Sequence, residues 1–402
     1  MRTIAGRRIL VLNAGSSSLK FAVFEARTGL WHGQVEGIGT HPRFLIASAV
    51  SAGAASSTAP PAMRQLPLAT RHGEALREIL GALAERGIAV ADIAACGHRI
   101  VHGGAQFVAP MIVDDTRLGA LNALRRLAPL HNGFGLAAID ALRAVAPALP
   151  QIACFDTAFH ATVPEVASRY ALPAELHEAG YRRFGFHGLN FEHVTAVLTE
   201  QCGGTPPERL LILHLGNGCS IAAVRRGRSV ATTMGYSTLD GLVMGTRCGA
   251  IDPGVLLALQ RDRGLDPDAL EELLYRRSGL LGLSGRSSDM RELERISDEA
   301  CRFAVEHFCY WAARHAGSLA VALGGVDALA FTAGIGAGSA AVRRAIVAHL
   351  AWLGFELDDE RNRRGERALA TSRSRGPVWV VEADEELAIV RHVCATLQVN
   401  QE

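Results

Sequence analysis

ILVLNAGSSSLKFAVFEARTG, residues 9–29, and LLILHLGNGCSIAAVRRGRSV, residues 210–230, repeat one design. Each runs apolar strand, glycine turn, apolar strand, second turn, and in ungapped register Gly15 falls on Gly216 and Ser16 on Asn217. Each also opens a stretch of roughly 180 residues with later helices and strands, the scale of a duplicated unit. Duplication predicts an α/β protein of two related lobes, with a cleft facing both glycine turns. Two unrelated hairpins would look the same over so short a stretch.

The first turn also holds the only lysine of the chain. Of 41 basic residues, 40 are arginine, and Lys20 closes the stretch LNAGSSSLK. In a composition so shifted toward arginine, a retained lysine points to a place that needs a compact ammonium and not a planar guanidinium. Asn13, Ser16, Ser18, backbone N–H groups and that ammonium would stand at one sheet edge, suited to phosphate oxygens and a magnesium ion. An ordinary hairpin with a solvated lysine is the competing reading.

Composition narrows the class. With 402 residues there is enough chain for two cores. The sequence is 49% hydrophobic and 20% charged, as soluble globular proteins are. A formal net charge of +1 supplies no field for nucleic acid or an anionic membrane. MRTIAGRRILVL has too short an apolar run for a signal peptide, and Gly324, Gly325 and Asp327 interrupt the apolar stretch 319–333, so no membrane span is expected. Eight scattered cysteines without a C-x-x-C pair fit a reduced, cytoplasmic protein.

Periodicity places further elements. Helical spacing covers 74–86, 117–130, 136–149 and 299–323, the last ending at Gly324-Gly325, and a further helix runs over 340–354. IAACGHRIVH (93–102) and the start of QIACFDTAFH (151–160) read as strands, and VDALAFTAGIG (326–336) as a strand running into a glycine turn at a helix start, a third phosphate candidate. Residues 47–63, rich in Ala, Ser and Pro, read as a surface loop or irregular hairpin. The chain closes with a strand and a terminal helix that has acids in its first turn.

Asn13, Arg99, Asp156, His187 and Asn217 follow apolar runs, and polar groups at strand ends of α/β proteins converge on one crevice. Arg99 and Arg247 suit an anionic substrate because a guanidinium fork pairs with carboxylate or phosphate through two hydrogen bonds; each would equally serve a structural ion pair. His98 and His102 are four apart, but in a strand-like segment with no third ligand they do not make a zinc site. His131 and His187, taken singly, read as structural histidines.

LNAGSSSLK (12–20), GHRIVHGG (97–104), PLHN (129–132), FDTAFH (155–160), RRFGFHG (182–188), HLGNG (214–218), MGTRCGAIDPG (244–254), SGLLGLSGRSSDMREL (278–293), FTAGIG (331–336) and DEEL (384–387) stand in this order. Together they resemble the acetate kinase family over nearly the whole chain. That resemblance implies the two-lobed superfold of acetate and sugar kinases, actin and heat-shock ATPases, with residues 1–155 forming one lobe completed by a helix at about 385–402, and residues 156–384 the nucleotide lobe. It implies a homodimer and reversible transfer of the ATP γ-phosphoryl group to acetate, with magnesium or manganese.

Carried over by position, Asn13 and Glu385 belong to the metal site, and Ser16, Ser18 and Lys20 hold phosphate. Arg99 binds the substrate carboxylate, while Val101, Leu130, Phe186 and Thr238 line the pocket for its alkyl end. Asp156 matches the catalytic acid, and His187 and Arg247 match the groups that stabilise the transition state. His214, Leu215, Gly216, Asn217 and Gly218, then Asp289, Met290 and Arg291, then Gly334, Ile335, Gly336, Ala337 and Gly338 match the nucleotide segments. A carboxylic acid ionises near pH ~4–5, so at neutral pH the acceptor is already a nucleophile and needs no general base. The expected role of Asp156 is therefore to order the metal's water shell and the arginines, while cationic groups offset repulsion between two anions.

Three departures from the family bear on specificity. MGYSTLDG (234–241) has Thr238 where the family has proline, GIGAGS (334–339) has Ala337 and Gly338 for a glutamate and an asparagine, and Gly133-Phe134-Gly135 follows PLHN where the family has a proline. Propionate or another short acid is the nearest alternative to acetate. A sugar kinase of the same superfold, with Asp156 as general base, and a non-enzymatic nucleotide switch are the alternatives of other classes.

Overall fold

The computed structural model describes residues 8–49, 62–127 and 132–399. The chain divides into two compact units: Met1–Ala158 together with Asp384–Glu402, and Phe159–Ala383. Among the described residues no helix is long and apolar enough to cross a membrane.

The first unit is built on an eight-stranded sheet. Its strands are β1 (Arg8–Ala14), β2 (Ser18–Glu25), β3 (Thr28–Glu36), β4 (Arg43–Ser48), β5 (Ala62–Gln65), β6 (Ile93–Ile100), β7 (Met111–Ile112) and β8 (Gln151–Phe155), in the order β5-β4-β3-β2-β1-β6-β8-β7. The second unit has five strands, β9 (Arg209–Leu215), β10 (Cys219–Arg225), β11 (Arg228–Thr232), β12 (Ala328–Thr332) and β13 (Val378–Val380), in the order β11-β10-β9-β12-β13.

The internal repeat is visible in this topology. In both sheets the first three strands form an antiparallel meander and the first strand then pairs in parallel with a later one, β1 with β6 and β9 with β12. A second parallel step follows, β6 to β8 and β12 to β13. Central strands covered on both faces need continuous apolar runs, and Ile9–Leu12 and Leu210–Leu213 are fully buried.

Glycines set how closely helices lie on the first sheet. A Cβ at Gly97 would come 2.3 Å from Ile389 Cγ2 of the terminal helix Glu385–Val399, and one at Gly135 would come 2.9 Å from Ile100 Cδ1. Residues 97 and 100 alternate across the pleat, so the terminal helix covers one face of β6 and the helix Asn132–Val145 the other. Arg99 shares the face of Gly97. This is how sequence positions 99 and 385 meet.

Several boundaries differ from the sequence expectation. The helix expected over 117–130 runs Asp115–Ala123 and tightens into a 3₁₀ turn at Leu124–Leu127. The one expected over 136–149 is Asn132–Val145, since a residue before Pro147 is pushed out of helical geometry. The helix over 340–354 stops at His349 and ends in a 3₁₀ turn, Ala351–Leu353. Glu299–Leu323 forms as expected, with Asp298 accepting from the amides of Ala300 and Cys301 and Gly324 at φ 71° closing it. Around the expected loop 47–63, β4 and β5 pair antiparallel, and residues 50–61 lie outside the described residues.

Candidate active site

In the first unit the β1–β2 hairpin puts Asn13 directly opposite Lys20. Both strands are interior to the sheet, so the turn lies at the sheet's edge formed by strand ends. Gly15 closes the turn through its N–H to the Ser18 carbonyl (2.8 Å), and its own carbonyl meets His72 Nε2 at 2.7 Å. Ser16 and Lys20 are exposed and Ser18 half-buried, which leaves hydroxyls and the ammonium able to take a ligand.

Arg99, at the end of β6, gathers the polar groups of this unit. Its Nε and Nη2 donate to Asp156 Oδ1 (3.2 Å) and Oδ2 (2.5 Å). Its Nη1 donates to Asn13 Oδ1 at 3.3 Å, and its Nε lies 3.3 Å from Glu385 Oε2. Asp156 is fully buried while the Arg99 side chain keeps 20% of its surface open, so the cluster is buried on the acid side and open on the guanidinium side. Burial, with the Glu385 charge, raises the Asp156 carboxyl to about 6 against the pull of Arg99. The same acids hold the Arg99 guanidinium above its ordinary value although burial opposes them.

Val101, two residues after Arg99, is buried. Asn132 fixes the next residue: its Oδ1 accepts from His102 N at 3.0 Å and its Nδ2 donates to His102 O at 2.9 Å. Leu130 lies outside the described residues. Among the described residues no group of three or more His, Cys, Asp or Glu side chains is arranged to hold a metal ion. The oxygens of Asn13 and Glu385, both within reach of Arg99, make a sparser hard-oxygen set. Such a set fits an ion that keeps most of its water and completes its shell with phosphate oxygens.

In the second unit, His187 does not follow a strand. It caps the helix Gly188–Gln201 in the left-handed region, φ 59°, where a non-glycine residue is held only if its surroundings fix it. Those surroundings are named: His187 Nδ1 lies 2.8 Å from Ser220 Oγ, and its ring stacks on His214 with centroids 4.0 Å apart. His214 Nδ1 meets Asn190 Nδ2 at 2.7 Å. Gly218 packs closely here: a Cβ would lie 3.1 Å from His187 Nε2 and 3.7 Å from Arg247 Nη1. The HLGNG turn therefore draws together His187, His214 and Arg247. Arg247 is held by the Thr238 carbonyl, 3.0 Å from Nη1, and burial lowers its pKa. Phe186, next to His187, is buried and its carbonyl accepts from or faces His160 Nε2 at 3.1 Å.

A cavity of about 470 Å³ opens beside this turn, lined by Gly216, Asn217, Asp289, Met290, Arg291, Gly334, Ile335 and Gly338 together with Ser288, Glu294 and Ser339. Three segments far apart in sequence meet here, and the volume is in the range of small-molecule sites. The expected glycine turn 334–338 is in fact a helix, Ala333–Gly338, entered through Ala333 at φ 64°. Leu215 and Gly336 are buried behind the wall. The carbonyls of Gly336 and Ala337 accept from Arg343 Nη1 at 2.9 and 2.6 Å.

Sequence reasoning missed Ser288, Glu294 and Ser339. Ser339 both lines the cavity and caps the next helix, accepting from Val342 N at 3.1 Å, and its hydroxyl also meets the Glu294 carboxylate. A serine directly before an amphipathic helix was a readable capping signal; Ser288 and Glu294 carried none.

The sequence profile described as the Acetokinase family matches residues 8–391. The chain belongs to the acetokinase family. An acetate kinase of Rhodopseudomonas palustris is 44% identical over 394 residues, covering 96% of this chain and 97% of that protein. One from Nitrobacter hamburgensis is 44% identical over 399 residues, covering 97% and 96%. Among solved structures, a propionate kinase from Francisella tularensis superposes with a TM-score of 0.90 at 34% identity, covering 96% of this chain and 98% of that one. The acetate kinase of Porphyromonas gingivalis does so with 0.88 at 33% identity, covering 97% and 100%. The α/β fold with its repeated core is thus the acetokinase fold.

Proposed function

We propose that this chain transfers the γ-phosphoryl group of ATP to acetate, reversibly, giving acetyl phosphate and ADP. What supports it most is the Arg99 cluster: one guanidinium in contact with an amide oxygen and two carboxylates from three separate segments. An acceptor carboxylate would bind the open side of Arg99, with its methyl end toward Val101. Arg99 and the acceptor form a charge-assisted pair, and the acceptor attacks as the anion it already is.

Asn13 and Glu385 would hold magnesium, with manganese as a substitute, and Asp156 would orient water around it and fix Arg99. When bound, the metal neutralises charge on the phosphate oxygens. Ser16, Ser18 and Lys20 take phosphate oxygens. His187 and Arg247 stabilise the charge that develops on the transferring group, which needs positioned cations more than a proton acceptor. The cavity bounded by 216–217, 288–291 and 334–339 takes the nucleotide. Reduced surroundings such as the cytoplasm suit eight cysteines that form no disulfide among the described residues.

A second copy of the chain is the proposed partner. The helix Pro253–Arg263, sequence PGVLLALQRDR, has no buried residue, and Val255 and Leu257 expose 42% and 63% of their surface. Such an apolar surface on a helix marks an association face.

The deciding experiment is acyl-hydroxamate formation from ATP, hydroxylamine and a series of acids from acetate upward, with and without magnesium. Metal-dependent product, highest with acetate, is expected. Highest turnover with propionate would move the substrate up one carbon, and no product with any short acid would refute the carboxylate kinase reading.

A further inference from the structure

We propose that Arg183, with its partner Asp240, is a positioning residue for Arg247, acting through the carbonyl of Thr238. The proposal rests on the assignment of Arg247 to the transition state.

Arg183 Nη1 donates to Asp240 Oδ2 at 2.8 Å and to the Thr233 carbonyl at 2.9 Å. These two acceptors are the ends of the loop 233–240, so one guanidinium closes it like a clasp. The loop is tied at its middle too. Tyr170 lies under the Arg183 guanidinium, 5.4 Å from its ring centroid, and its hydroxyl accepts from Tyr236 N at 2.8 Å. The Gly235 carbonyl accepts from Phe184 N (3.0 Å) and Gly185 N (3.3 Å), the residues directly after Arg183. Between these ties sits Thr238, whose carbonyl accepts from Arg247 Nη1 at 3.0 Å.

The fit leaves the loop little freedom. A Cβ at Gly235 would lie 2.3 Å from the Tyr170 hydroxyl and 2.5 Å from Asp240 Oδ2. Gly241, at φ 100°, would place one 2.8 Å from the Thr233 carbonyl. A buried guanidinium is aimed by its acceptors, because its five donors lie in one rigid plane. Displacing the Thr238 carbonyl by a fraction of an ångström rotates that plane. A misplacement of this size is costly for a group that stabilises a transition state and cheap for one that only packs.

The test is a double-mutant cycle on the full chain, with kcat and the KM for ATP and acetate read by the hydroxamate assay. Arg183→Ala and Asp240→Asn are each made alone and in an Arg247→Ala background. Alone, each is expected to lower kcat on the order of tenfold while the KM for ATP changes less than about twofold. In the Arg247→Ala background each should cost less than about twofold, because the residue it aims is gone. Tyr170→Phe, which removes only the hydroxyl, serves as the third arm should Arg183→Ala fail to fold. Equal losses in both backgrounds, or an unchanged kcat in the single variants, would overturn the positioning role. If Arg247→Ala itself kept full kcat, the assignment of Arg247 would fall instead.

Discussion

Asp156 and Arg99 meet in a two-contact pair, 3.2 Å and 2.5 Å, with the carboxylate wholly buried. An ion pair this close normally lowers a carboxyl's pKa, yet burial and the neighbouring Glu385 outweigh the arginine and leave Asp156 raised to about 6. A raised carboxyl is charged only above its folded pKa. Activity that needs the Asp156 carboxylate should therefore fall as pH drops through about 6, before the acetate substrate itself protonates. The pH profile of kcat/KM reads this limb directly. Asp156→Asn is expected to lower kcat at every pH, on the order of 10²-fold or more. A loss confined to low pH, where the substrate protonates, would contradict an ordering role.

Arg99→Lys replaces a two-pronged donor by a point charge. The KM for acetate should rise at least on the order of tenfold and by clearly more than the KM for ATP, since the guanidinium is the group assigned to the acceptor carboxylate. Initial-rate measurements with each substrate varied separately decide it; parallel rises in both constants would mean a general structural role.

Val101, two residues after Arg99 in the chain, is buried. Shortening it to alanine opens space for one more carbon, and a single methylene is worth about 1–3 kcal/mol of discrimination. The ratio of kcat/KM for propionate over acetate should increase in Val101→Ala by on the order of tenfold. An unmoved ratio would place the alkyl end of the substrate elsewhere.

Gly338 lines the 470 Å³ cavity proposed for the nucleotide, and a Cβ there would meet nothing within 4 Å. Gly338→Asn should be accommodated and restore an amide to the wall. One added hydrogen bond, about 1 kcal/mol net, corresponds to a KM for ATP several-fold lower. Isothermal titration with ADP gives an independent reading, and unchanged affinity would show that the nucleotide does not pass this wall.

Arg343 is fully buried and its donors go to Asn362 Oδ1 and O (both 2.8 Å) and to the carbonyls of Gly336 and Ala337. It holds the end of the short helix that forms one cavity wall. Arg343→Met should lower Tm and weaken ADP binding together, because several buried acceptors lose their donor at about 1–3 kcal/mol each. Loss of Tm with normal ADP affinity would uncouple the wall from this residue.

The repeat of residues 9–29 and 210–230 was legible because strand, glycine turn and strand are local devices. Apolar runs and glycines fix them without reference to the rest of the chain. The helix Glu299–Leu323 was equally legible, with a capping aspartate before it and a glycine after it. Where competing signals met, boundaries moved: Pro147 cut one helix short, and the run of small residues 333–338 coiled into a helix where a turn was expected.

The candidate residues were named from motifs, but motifs do not say which of them touch. Sequence by itself determined the strands, the turn chemistry and the supply of charge. Tertiary structure alone decided that residues 13, 99, 156 and 385 share one guanidinium, that His187 is held at a left-handed φ against His214, and that Arg183 clasps the loop bearing Thr238. The reason is physical. Backbone preferences act over a few residues, whereas burial of charge and closeness of packing depend on which faces meet, and a glycine such as Gly97 shows its purpose only when a helix from the far end of the chain lies on it.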